Sequence, residues 1–260
     1  MAGHSIFIGT AGWSIASRYR HDFPGQGSHL ERYGASLDAV EINSSFYRPH
    51  RRETYERWAA SVPSGFRFSV KLPKAITHER RLKDCASQLD DFFAQAGGLG
   101  GKLGVVLVQL PPSLRFEAPV AGTFLGELRQ RTEAGLALEP RHASWFAEGV
   151  EALLGWFQVA RVAADPPPHP DAAEPGGWRH LAYFRLHGSP RVYYSNYDRE
   201  ALDGIERRLA QAHAAGFETW CVFDNTAEGH ALGNALDVDA AMNGIMAPAD
   251  EPGRLAVRSR

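Results

Sequence analysis

Asp38-Ala39-Val40-Glu41-Ile42-Asn43-Ser44-Ser45-Phe46-Tyr47 is the stretch that decides how this chain folds. Its apolar positions form a short strand-like run, and Glu41 and Asn43, two apart, share one face at the end of that run. The same rhythm, an apolar run ending in a charged or amide residue, recurs along the chain. Eight runs can be read, at 5–10, 38–43, 66–71, 104–109, 136–139, 159–163, 181–186 and 219–223. Most are nearly continuous apolar stretches, as parallel strands covered on both faces require.

Segments with helical spacing lie between them, at 54–60, 85–96, 121–131, 150–157 and 201–215. Alternating strand and helix with right-handed crossovers predicts an α/β fold, a single (β/α)8 TIM-barrel-like domain with its active face at the C-terminal strand ends. An open doubly wound sheet shows the same alternation but usually has fewer strands. The expected domain is 1–246. The polar, proline-containing stretch 247–260 is expected to be a poorly ordered tail unless docked. Asp165-Pro166-Pro167-Pro168-His169-Pro170 reads as a loop on the active face, since prolines there exclude helix and central strand.

The 260 residues suit one barrel, and 44% apolar with 22% charged residues is ordinary for a globular protein. A net charge of −2 gives no global attraction to nucleic acid or membrane. Local basic clusters do exist, at Arg48, Arg51 and Arg52 and at Arg80, Arg81 and Lys83. Cys85 and Cys221 have no metal or CxxC spacing, which favours a reducing compartment. No apolar run approaches the ~20 residues of a membrane helix, and none resembles a signal peptide. A cytoplasmic protein is expected.

The strand ends carry the candidate chemistry. Gly9-Thr10-Ala11-Gly12-Trp13-Ser14 reads as a tight turn with Trp13 as a pocket wall, and it matches no nucleotide-binding motif. Glu41 is costly to bury unless bonded or paired, which marks it as a catalytic candidate. Asn43, Phe46 and Tyr47 would line the adjoining loop. Lys71 ends its run facing the same way as Arg67 and Ser69. An ion pair with Glu41 is the first expectation, anion binding the second, and a Schiff base the third. His78 offers a proton shuttle, or a plain surface histidine. Gln109 can both donate to and accept from a ligand.

Glu139-Pro140-Arg141-His142-Ala143-Ser144-Trp145 is the densest cluster. Glu41 and Glu139 could pair as glycosidase carboxylates. Arg141 weighs against that role by lowering a nearby carboxylate pKa, and it suits bidentate grip of phosphate or carboxylate. Trp145 would add an aromatic wall. Arg185 and His187 share a strand face, with His187 a candidate base. Tyr193, Tyr194 and Tyr197 read as an aromatic lid or a packed loop. Asp224 and Asn225 could bind substrate or cap the next helix. Glu41, Glu139, His187 and Asp224 are also candidate ligands of a divalent metal such as Mg, Mn or Zn.

Together, Gly9-Thr10-Ala11-Gly12-Trp13, Val40 to Tyr47, Lys71 with Ile76-Thr77-His78, Gln109-Leu110-Pro111-Pro112, Glu139 to Trp145, Arg185-Leu186-His187-Gly188 and Phe223-Asp224-Asn225 resemble the YecE-like proteins, also called domain of unknown function seventy-two. The resemblance covers nearly the whole chain. It implies a TIM-barrel-like fold and no established activity. Ile15 and His230 depart from the family pattern, which has an aromatic and a small residue at these places.

Three functions are compatible with these residues. The first is an enzyme of hydrolase, lyase or isomerase type. It would use Arg141, Arg185 and Lys71 to bind a small anionic or polyhydroxylated substrate, and Glu41, Glu139 and His187 to move protons, with or without a metal. The second is nucleic-acid processing or binding, supported by the arginine clusters and the aromatics Phe46, Tyr47, Trp145, Tyr193 and Tyr197. The third is a non-catalytic small-anion sensor. Oligomeric state is not legible.

Overall fold

A parallel ladder organises the chain in a computed structural model that describes residues 6–23 and 25–246. Its strands are β1 (Ile6–Ala11), β2 (Ala39–Ile42), β3 (Arg67–Lys71), β4 (Leu103–Gln109), β5 (Gly135–Glu139), β6 (Val159–Arg161), β7 (Ala163–Asp165), β8 (Gly176–Gly177), β9 (Leu181–Leu186) and β10 (Glu218–Phe223). The helices are α1 (His29–Tyr33), α2 (Arg52–Ala60), α3 (Ala86–Ala96), α4 (Ala118–Arg129), α5 (Val150–Trp156), α6 (Arg199–Ala214) and α7 (His230–Met246). Strand order is β7-β9-β10-β1-β2-β3-β4-β5-β6-β8, with every pairing parallel except β6 with β8.

This is the expected TIM-barrel-like fold, with one change at the sixth run. That run was expected as one strand over 159–163, and it is split at Val162 and extended to Asp165. Its first half pairs with β5 and its second half with β9. The β9 side of β6 is taken by the antiparallel β8, so the run reaches β9 only after Val162. The barrel closes through this bend. Asp165, expected in the proline loop, therefore ends a strand.

Two apolar layers hold the barrel. Inside it pack Ala39, Val105, Leu107, Ala137, Tyr183 and Trp220 with their neighbours. Between sheet and helices lies the larger layer, including Val40, Ile42, Phe68, Val106 and Val108. Alternate residues of each strand thus enter different layers, which explains why the runs look continuously apolar. Helix faces complete the outer layer, as with Leu89, Phe92 and Ala96 of α3 and Leu202, Ile205 and Leu209 of α6. Spacings of three and four place such residues on one stripe.

Two glycines are required by the backbone. A Cβ at Gly9 would overlap the Ala39 carbonyl of the neighbouring strand. Gly12 turns the chain out of β1 at φ +96°. Helix α1 opens with a capping box between Ser28 and Glu31, and α6 with Asp198 accepting from the Ala201 amide. No helix among the described residues is long and apolar enough to cross a membrane. The stretch 247–260 and the first residue of the first expected run, Ser5, lie outside the described residues.

Candidate active site

Register fixes which side chains meet at the C-terminal rim. Glu41 lies opposite Ser69, and Gln109 lies opposite Glu139. On β9, Tyr183 and Arg185 alternate toward the interior, and His187 follows just past its end. The centre of the resulting network is Arg185. Its Nε and Nη2 donate to Glu41 Oε2 and Oε1 at 3.0 and 2.8 Å. Its Nη1 donates to Glu139 Oε2 at 3.3 Å, and Nη2 lies 3.0 Å from Asp224 Oδ2. One guanidinium therefore serves three carboxylates, and its planar fork suits that task better than an ammonium would.

Supporting bonds surround it. Tyr183 donates to Glu41 Oε2 at 3.0 Å and to Ser69 Oγ at 2.9 Å as alternative acceptors. Gln109 Nε2 donates to Glu139 Oε2 at 3.0 Å. Arg141 donates from Nε and Nη2 to Glu139 Oε1 at 3.2 and 2.8 Å. His187 sits between two acids, with Nδ1 3.0 Å from Asp224 Oδ2 and Nε2 2.9 Å from Glu139 Oε1. Two carboxylate acceptors favour a proton on each ring nitrogen.

The electrostatics follow. Burial pushes Glu139 up, but the charges of His187, Arg185 and Arg141 outweigh it and hold its carboxyl well below the usual range. Asp224 is likewise lowered against its burial, by Arg185 and His187. Burial pulls His187 down, but Glu139 and Asp224 raise it above its ordinary value. A retaining or inverting glycosidase needs one protonated carboxyl. Here the neighbouring positive charges oppose protonation of Glu139, and Glu41 is wholly buried in a bidentate pair with Arg185, an arrangement unlike that pair.

Lys71 departs from its first expectation. No carboxylate lies within 4.0 Å of its amine among the described residues, because Arg185 occupies Glu41. Instead Nζ stands 4.1 Å above the Phe46 ring, on a residue only 5% exposed. Burial, then the Arg185 charge, lowers the amine to about 8, against the opposing pull of Glu41, Glu139 and Asp224. His78, on the single π-helical turn Ala75–Glu79, packs edge-on against the same Phe46 ring at 5.0 Å. Its Nδ1 meets Thr77 Oγ1 at 2.8 Å. Burial, with Lys71 and Arg141, lowers His78. Asn43 follows β2 and holds a buried Oδ1 without a partner.

Other candidates are placed differently. Trp145 is 1% exposed, and its indole donates to Leu114 O at 3.0 Å, so it is a packed strut rather than a pocket wall. Tyr197 donates to Asp165 Oδ2 at 2.6 Å and accepts from the Gly188 amide, tying the loop after β9 to β7. Asn225 donates to Ser195 O and Asn234 Oδ1, which anchors that loop from the other side. Trp13 packs edge-on against Trp58 at 5.0 Å. Tyr47 is 69% exposed at the rim. Ile15, at the first departure from the family pattern, is buried in the outer layer, and His230 opens α7.

Among the described residues, no group of three or more His, Cys, Asp or Glu is arranged to hold a metal ion. The four candidate ligands meet Arg185 and each other instead. One participant, Tyr183, was not singled out from sequence, and another, Tyr193, was read only as part of an aromatic lid or packed loop. Tyr183 was signalled by its parity with Arg185, two residues on. Tyr193, at φ +70°, sets its ring edge-on to His187 at 5.8 Å, and no local pattern announces that conformation.

Barrel and buried charge network together define a TIM-barrel-like protein with a polar rim at its C-terminal strand ends. The chain belongs to the family described as "Protein of unknown function DUF72", whose model matches residues 7–254. It is 30% identical over 147 residues to the UPF0759 protein YecE of Escherichia coli (strain K12), a match covering 56% of this chain and 52% of YecE, about half that relative's length. It is 23% identical to the UPF0759 protein YunF of Bacillus subtilis (strain 168), over 88% of this chain and 92% of YunF. Solved structures agree on the fold. A DUF72 family protein from Enterococcus faecalis superimposes with a TM-score of 0.77 at 20% identity, covering 96% of this chain and all of that one. Another from Thermotoga maritima gives 0.75 at 25% identity, covering 92% and 100%.

Proposed function

We propose that the protein is an enzyme of lyase or isomerase type that binds a small carboxylate- or phosphate-bearing substrate at the C-terminal rim and moves protons there. One observation carries this reading. The buried acids Glu41, Glu139 and Asp224 are all committed to Arg185, Arg141 and His187, whereas the Lys71 amine is left without an acid. Three carboxylates thus face four basic groups, and the surplus positive charge sits with Lys71 and with Arg141, whose Nη1 has no partner among the described residues. A ligand entering the rim meets donors, while the acids stand behind them.

Arg141 then grips the anionic group, and Glu139 fixes the guanidinium plane for that contact. Lys71 and His78, both lowered and both against Phe46, are the groups suited to accept a proton near neutral pH. Arg185, His187, Glu41 and Asp224 position these residues without meeting the substrate. Nucleic-acid binding draws less support, because Arg81 is bonded to Ser113 and Lys83 is paired with Glu117.

The test is thermal unfolding with oxalate, malonate and inorganic phosphate, on wild type and Arg141→Ala. At an anion concentration of about 100 Kd, the wild type gains about 2.7 kcal/mol of stability and melts several degrees higher. No shift with any of the three anions, or an equal shift in Arg141→Ala, would remove the reading.

A further inference from the structure

Lys71 has features beyond those an anion contact needs. The chain contains four lysines, Lys71, Lys74, Lys83 and Lys102. Lys74 and Lys83 are exposed and face Glu79 and Glu117. Lys102 donates to the Ala59 and Val62 carbonyls. Lys71 alone is buried in the barrel mouth, held by its strand and walled by the Phe46 ring. A neighbouring histidine shares that wall, and Arg141 offers a free guanidinium nitrogen within the same charge environment.

We propose that Lys71 forms a Schiff base with the carbonyl carbon of a small oxo acid whose carboxylate is held by Arg141. The inference rests on the proposed function and names its substrate class. The chemistry balances without a redox partner. The neutral amine's lone pair attacks the carbonyl carbon, and the C=O π pair moves to oxygen, which takes a proton from solvent water. Nitrogen gives up one proton, for which His78 Nε2, without a partner among the described residues, is the nearby acceptor. Proton return to the hydroxyl releases water as the C=N bond forms. The resulting iminium withdraws electrons from the adjacent carbon, which is the shared requirement of lyase and isomerase chemistry on such substrates. The lowered amine adds support, since more of it is neutral at a given pH than of an exposed lysine.

Borohydride trapping tests this on the full chain. Protein is incubated with pyruvate, or with acetaldehyde as a carbonyl lacking the carboxylate, then reduced and mapped by peptide mass. With pyruvate, the secondary amine is expected at Lys71 at least roughly tenfold ahead of Lys74 and Lys83, which serve as internal controls. Acetaldehyde is expected to label Lys71 more weakly. Labelling of Lys74 and Lys83 equal to or ahead of Lys71 overturns the Schiff base, and equal labelling of Lys71 by both carbonyls overturns the carboxylate grip. If Lys71 is not trapped while oxalate still raises the melting temperature, the Schiff base fails and the anion-binding reading survives. If neither occurs, both fail.

Discussion

Arg185 and Glu41, 144 residues apart in sequence, meet in a fully buried bidentate pair at 2.8 and 3.0 Å. Their meeting depends on barrel closure, because β9 and β2 are separated by β10 and β1 in the sheet. The same guanidinium also holds Glu139 and Asp224, so the rim is organised around one cation.

Removing that cation leaves buried carboxylates without compensation. Breaking a buried pair costs about 3–5 kcal/mol. Arg185→Met is expected to destabilise by at least that much, and Glu41→Gln by a similar amount. The double variant should recover part of the loss. Urea denaturation of the four proteins measures the coupling, expected to be about 2 kcal/mol or more. Simple additivity would show that the pair is not an energetic unit.

Lys71→Met should do the opposite. A folded-state amine lowered to about 8 holds its proton at a cost below that pH. The cost fades between pH 8 and the ordinary lysine value, because there the unfolded chain binds the proton more readily. The variant is therefore expected to be more stable at pH 7 by about 1–3 kcal/mol, with part of the effect offset by loss of the Phe46 contact. Its advantage should shrink as pH rises toward 10. A less stable variant at pH 7 would mean that Lys71 has a counter-ion.

His187 sets a second pH dependence. Its folded value is raised, so its contribution is complete below about 6.5 and is lost as pH climbs through the folded value. The stability gap between wild type and His187→Gln should thus be larger at pH 5.5 than at pH 9. Glu139 and Asp224 are lowered, so their contribution holds above about 4 and falls away in acid. A gap that widens with pH would contradict a doubly bonded imidazolium.

Trp145→Phe separates packing from binding. It removes one buried hydrogen bond to Leu114 O and should cost about 1–2 kcal/mol in chemical denaturation. The oxalate-induced shift in melting temperature should be unchanged. Loss of that shift, with the fold intact, would restore Trp145 to the ligand-binding surface.

The fold was legible because strand alternation is local. The Asp38–Tyr47 stretch shows an apolar run with a polar end, and the barrel keeps both, although the strand stops at Ile42 and Asn43 opens a 3-10 turn instead of extending it. The split of the sixth run was not legible, since it depends on β8 pairing with β6 from a distance. Among the candidate residues, parity correctly placed Arg185 and His187 on one face. It could not choose Glu41's partner, because Lys71 and Arg185 both approach from other strands, and the planar fork of Arg185 satisfies both oxygens at once. Trp145, Tyr197 and Asn225 looked like ligand contacts in sequence because residue type alone does not reveal which carbonyl or amide a polar atom already serves.

The central claim is that Lys71 is a buried amine without an acid partner, open to an anionic ligand. Its rate of acylation by a small neutral reagent, followed by peptide mass across pH, tests this most directly, with Lys74 and Lys83 as references. The account predicts a midpoint near 8 for Lys71 and slower labelling in oxalate. A midpoint at the level of the two exposed lysines, with no protection by oxalate, would contradict it.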